Sequence, residues 1–238
     1  MGDTKLREPG GALISRSQVQ ELRAKLQPGD IFLERRNWYV SNAFLPGYWP
    51  HAALYAGTPE ELRALGLEQD PRVQQHWDKL LRPDKAGHFC VVLESVSEGV
   101  IFTSLEHSIG EADSVALLRP KIPREQIRES LARAFSHAGK PYDFDFDFFS
   151  SDKLVCTELV YRAYDGPIHF TLQNIMGTKT LPAIEFVRKF AAERDTPGAQ
   201  FEFIWCLQGD AGAGVARPVD AAGFIKTMDL PGNDLLMK

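Results

Sequence analysis

A succession of short apolar runs, each closed by a turn signal, governs what this chain can fold into. Ile31–Leu33 follows QPGD, and His51–Ala56 follows a proline and ends at Gly57. Phe89–Glu94 is closed by the SEG of 97–99, after which come Val100–Ser104 and Ser114–Leu118. Runs this short, bounded by Gly, Pro, Asp and Ser, read as strands, and the two flanking 97–99 as a hairpin. Helical signals sit around them. Residues 15–26 space Val19, Leu22 and Leu26 three to four apart behind an N-cap at Ser15 or Ser17. Residues 123–138 start at Pro123 and stop before Gly139. Further helices are expected from about Cys156 and over 183–194, a strand over Gln200–Cys206, a flexible loop at 209–214 and a Gly/Pro-rich tail. The order implies an α+β fold, an antiparallel sheet with helices on one side. No linker and no fixed-period repeat interrupts it, so residues 1–238 are expected to form a single domain.

Composition narrows the function. With 238 residues, 44% of them hydrophobic, the chain can bury a large core without disulfides or a metal. A formal charge of -5 without a basic cluster argues against nucleic acid as a partner. No apolar stretch approaches the ~18 residues of a membrane-spanning helix. The opening residues carry charges of both signs and no apolar h-region, so no signal peptide is read there. Only three cysteines occur, which points to reduced thiols. A cytoplasmic location is expected, unless an export leader has been removed.

Cys156 is the most informative residue. Ser150, Ser151 or Asp152 would cap the helix, placing Cys156 in or just after its first turn. There the partial positive charge and free N–H groups of the helix terminus favour a thiolate and offer donors to an oxyanion. The competing reading is a small buried apolar residue between Val155 and Leu159. Cys90 and Cys206 lie inside apparent strands and read as structural.

A thiolate catalyst wants an imidazole, and a third group to hold it. His76 and His88 lie in polar, insertion-like sequence, His107 in a polar loop, and His169 in a turn. His137 ends a helix, where a cation is favourable. His51 instead opens an apolar strand in WPHAALYAG, at the rim of a sheet. Glu94 closes FCVVLE, where an unpaired charge is costly and a histidine on the next strand would relieve it. An exposed Glu94 paired with a surface cation is the alternative, and Glu158, Glu106 and Asp113 are rivals for the orienting role. Asp143, Asp145 and Asp147 alternate as in a calcium loop, but its sixth and twelfth places hold Phe148 and Leu154, so an extended segment is expected. No zinc, dinucleotide or Walker motif appears.

These residues belong to a recognisable pattern. PGDIFL (28–33), LPGYWPHAALYAG (45–57), VLESVSEGV (92–100), LLRP (117–120), GKPYDFDFD (139–147) and LVCTELVYRAY (154–164) occur in that order. In them the chain resembles the permuted papain-like branch of the NlpC/P60 superfamily, within it the YiiX/YebB-like cysteine hydrolases. The resemblance covers 28–164, with histidine before cysteine as that branch requires. It implies a circularly permuted papain-like fold with Cys156 as nucleophile, His51 as base and Glu94 as orienting acid. It further implies an amidase, peptidase or esterase working through an acyl-enzyme on a small acyl, peptidyl or lipid substrate, with no metal or cofactor. An acyltransferase or a lipid- or peptide-binding module on the same fold is the alternative. The insertion at about 58–88 and the extension 165–238 fall outside the match and are expected to shape the cleft. Trp38, Tyr48 and Trp49 stand just before His51 and would line an apolar substrate pocket or pack a core under a long loop.

Overall fold

Ser15 opens the first helix by accepting from the Gln18 N–H, while the Gln18 side chain accepts from the Ser15 N–H. In the computed structural model, which describes residues 12–36, 47–144, 152–175 and 177–232, this capping box starts α1 (Arg16–Arg23). The chain then runs through β1 (Ile31–Arg35), β2 (His51–Tyr55) and three short helices, α2 (Pro59–Ala64), α3 (Pro71–Gln74) and α4 (Trp77–Leu81). Next come β3 (Cys90–Val96), β4 (Gly99–Ser104), α5 (Leu105–Ser108), β5 (Ser114–Pro120), α6 (Arg124–Ser136) and α7 (Cys156–Ala163). The remainder adds β6 (Gln173–Ile175), β7 (Thr178–Thr180), α8 (Ile184–Glu193), β8 (Phe201–Asp210), β9 (Val215–Pro218) and α9 (Ala221–Lys226).

Seven strands form one antiparallel sheet in the order β4-β3-β2-β1-β5-β8-β9. Its middle strands are hydrophobic on both faces, and two cores result. Ile31, Leu33, Ala52 and Leu54 face α6, α7 and α8. Their strand neighbours Phe32, Ala53 and Tyr55 face α1 and α5 through Val19, Leu22, Leu105 and Ile109. The expectation of helices on one side is therefore corrected. A strand apolar at every position has two faces to hide, and each needs a cover.

The segment 165–238 is not peripheral to this core. β8 pairs along β5, and Phe186, Val187, Phe190 and Phe224 are buried in the same cluster as the central strands. Residues 209–214, expected as a flexible loop, turn the β8–β9 hairpin. The insertion is tied in through Leu62, Leu67, Val73 and Leu80, which join the first core. Among the described residues no helix is long and apolar enough to cross a membrane. Asp145 and Asp147 lie outside the described residues; Asp143 is buried and its N–H donates to the Leu154 carbonyl.

Candidate active site

β1 and β2 pair so that Glu34 stands opposite His51, and β2 and β3 pair Ala53 with Glu94. Side chains alternate across a strand, so Glu34, His51 and Glu94 share the face of the second core. The register thus gathers an imidazole and two carboxylates from three adjacent strands. His51 Nε2 lies 2.9 Å from Glu94 Oε2. Thr103 donates to the other oxygen of Glu94. Glu94 is 1% exposed while the His51 side chain retains 22%, so the ring is the part of this pair that meets solvent.

α7 approaches from the other face and meets this group at the end of the sheet, because His51 is the first residue of its strand. Cys156 is the first residue of α7, and its sulfur and the His51 ring stand close enough for each to shift the protonation of the other. The backbone N–H groups of Ala52 and Thr157 face the sulfur and favour its charged form, and it lies 3.9 Å from the Pro50 carbonyl oxygen. The expected caps are corrected. Asp152 stands too far ahead, Ser150 and Ser151 lie outside the described residues, and Val155 occupies the N-cap. The chain stays extended up to that point because Leu154 bridges Tyr142.

The environment separates the charges. Burial alone would raise the Cys156 thiol, but the charge and hydrogen bond of His51, with the two N–H donors, bring it below its ordinary value of 9.0. Burial would lower His51, yet Cys156, Glu94 and Glu34 together hold it well above 6.5. Glu94 is likewise penalised by burial, but the hydrogen bond and charge of His51, backed by Arg36 and Thr103, carry it down to about 2. Both shifts run in the direction of a thiolate and an imidazolium. The other cysteines differ: burial pushes Cys90 and Cys206 up.

Two of the rival carboxylates are engaged elsewhere. Glu158 pairs with Arg162 at 2.6 Å and Glu106 with Arg23 at 2.6 Å. Asp113 is buried at the start of β5, where its N–H donates to the Arg35 carbonyl. His137 does close α6, but burial with Lys140 and Arg162 nearby lowers it to about 4, so it stands there neutral rather than as the expected cation.

Tyr48 and Trp49 do not line an open pocket. Trp49 is fully buried, its Nε1–H donating to Thr227 Oγ1 at 2.8 Å, and the Tyr48 hydroxyl is 2.7 Å from Ser114 Oγ. Both rings are taken up by core packing and anchor the residues leading into His51. Trp38 lies outside the described residues. Sequence reasoning missed Glu34 and Ser95. Glu34 is 1% exposed, accepts from Ser108 Oγ at 2.8 Å, and leaves its buried Oε2 without a hydrogen-bond partner among the described residues. Ser95 follows Glu94 on β3, points to the opposite face, and donates to the Leu154 carbonyl at 2.6 Å. Consecutive residues of one strand therefore hold the imidazole and the approach to the cysteine.

A large antiparallel sheet backed by a helix that opens on cysteine, with histidine earlier in the chain, defines the permuted papain-like class. Residues 25–198 match the family described as permuted papain-like amidase enzyme, YaeF/YiiX, C92 family, and the chain belongs to it. A solved structure described as the metalloprotein YiiX from Escherichia coli O157:H7 is similar at 17% identity and a TM-score of 0.44, covering 82% of this chain and 97% of its own. No curated protein matches.

Proposed function

We propose that this member of an amidase family is a thiol hydrolase in which Cys156 is the nucleophile, His51 the proton carrier and Glu94 the group that orients the ring. The observation that carries this reading is the imidazole of His51, hydrogen-bonded to Glu94 and electrostatically coupled to the Cys156 sulfur at the start of α7. The Cys156 thiolate adds to the carbonyl carbon of an amide, and the oxygen takes the displaced electron pair. The backbone N–H of Cys156, at the first position of α7 where a helix N–H has no intrahelical partner, receives that oxyanion. The tetrahedral species collapses, the C–N bond breaks, and His51 gives its proton to the departing amine. Water then loses a proton to His51 and adds to the thioester, and the acid leaves as the Cys156–acyl bond breaks. An ester follows the same route with an alcohol leaving. Glu94 keeps the ring in place and neutralises the imidazolium.

A panel of acyl and peptidyl electrophiles of varied chain length, read by mass spectrometry at each cysteine, tests this. Labelling is expected at Cys156 ahead of Cys90 and Cys206. Cys156→Ala is expected to lower turnover of any responsive amide at least about 1,000-fold, as loss of a nucleophile does, with an unchanged circular dichroism spectrum. Turnover retained by Cys156→Ala removes the sulfur from the mechanism.

A further inference from the structure

Glu34 takes no step in the thiol chemistry above beyond the pull of its charge on His51, yet it sits within the same group of side chains. It is buried, one oxygen accepts from Ser108, and the other has no hydrogen-bond partner among the described residues. A buried carboxylate oxygen left without a donor is costly and calls for a missing counterpart. One donor atom each from Glu34, His51 and Glu94 lies within 4.8 Å of the others. Donors around a single zinc-sized ion, at about 2.0–2.2 Å from it, stand roughly 3–4 Å apart, so small side-chain adjustments bring these three into range. Two carboxylates and an imidazole form an N/O set suited to such an ion. The nearby cation Arg36 is held by the carbonyls of His107 and Ser108 and lies within 3.6 Å of Glu111.

We propose that Glu34, His51 and Glu94 form a site for a divalent ion of the zinc class, and that its occupancy holds the enzyme inactive. The inference rests on the hydrolase reading only for its second half. The ion takes the ring nitrogen that otherwise carries the proton shared with Glu94, and that proton leaves to solvent. His51 is then a neutral, ion-bound ring that keeps its one remaining proton and can carry no second; without an imidazolium beside it the sulfur takes a proton from solvent and rests as a thiol. The partly exposed edge of His51 gives the ion its path from solvent.

Zn²⁺ titrated calorimetrically into Cys156→Ala tests the site without the sulfur. One saturable ion per chain is expected, with at least tenfold weaker binding once Glu34→Gln is added. That comparison separates the site from surface pairs such as His107 with Glu111. X-ray absorption on the zinc-loaded chain with Cys156 intact is expected to show nitrogen and oxygen neighbours only. It decides the matter by itself should the Glu34→Gln variant fail to fold. Zn²⁺ is also expected to slow iodoacetamide alkylation of Cys156 at least tenfold. No saturable binding in Cys156→Ala, equal affinity with Glu34→Gln, a zinc–sulfur distance near 2.3 Å, or alkylation indifferent to Zn²⁺ overturns the proposal. Failure here leaves the hydrolase reading standing, while turnover by Cys156→Ala would overturn that reading and leave ion binding intact.

Discussion

His51 is coupled to Glu94 and to Cys156, and the protonation of both moves with it. Cys156 lies below its ordinary value, so its thiolate persists at lower pH than a free thiol's and is lost as pH falls through the lowered value. His51 lies above 6.5, so its imidazolium persists upward and is lost only as pH rises through the raised value. Iodoacetamide alkylation of Cys156 is therefore expected to be fast well below pH 9 and nearly flat until the imidazolium titrates, whereas Cys90 rises only at alkaline pH. A single rise near pH 9 for Cys156 would show that no ion pair forms. Glu94 adds a stability term of defined sign. Its folded value of about 2 lies below the ordinary 4.5, so its contribution is present above pH 4.5 and is lost as pH falls toward 2. Glu94→Gln is expected to flatten that acid loss in urea-unfolding midpoints measured from pH 5 to 2. At this scale the sequence was legible where chemistry and position disagreed. A carboxylate closing FCVVLE marked Glu94, and the same signal, a glutamate after Ile31-Phe32-Leu33, marks Glu34. Glu34 went unread because only a strand register shows which buried charges share a face.

β3 is the element that joins the two halves of the site, with Glu94 turned toward His51 and Ser95 toward the segment entering α7. α7 is in turn pinned at its far end, where the Tyr164 hydroxyl donates to the Gly29 carbonyl. The hairpin after β3 requires Gly99, whose φ of 104° and closeness to the Lys140 carbonyl leave no room for a side chain. On β2 the anchoring comes from Trp49. Trp49→Phe removes its hydrogen bond to Thr227 and is expected to cost about 1–2 kcal/mol in stability, with KM unchanged across acyl chain lengths. A KM that tracked chain length would return this ring to the substrate pocket. The apolar runs and the capped helices could be read from sequence because periodicity and turn residues mark them. The β6–β7 hairpin, β9 and α9 could not, because they are short and their stability comes from pairing and burial against distant parts of the chain.

The whole molecule depends on residues that lie beyond the six matching motifs. β8 covers the edge of β5, and α8 and α9 complete the first core. Deleting everything after residue 198 exposes that edge and the apolar face beneath it. The shortened chain is expected to lose cooperative thermal unfolding and to elute as aggregates in size-exclusion chromatography. A monomer that unfolded cooperatively would show that the first part of the chain folds alone. The permuted papain-like architecture could be anticipated from the order of motifs, with histidine ahead of cysteine, but the two-faced covering of the sheet could not. Hydrophobicity at every position of a strand announces burial on both sides without naming what does the burying.

Pro50, beside His51, and Cys156 stand 106 positions apart. During synthesis the imidazole and its carboxylate therefore leave the ribosome well before the sulfur. In the proposed mechanism a nascent chain carries an ordinary, sluggish thiol until α7 docks on the sheet, and folding itself confers reactivity.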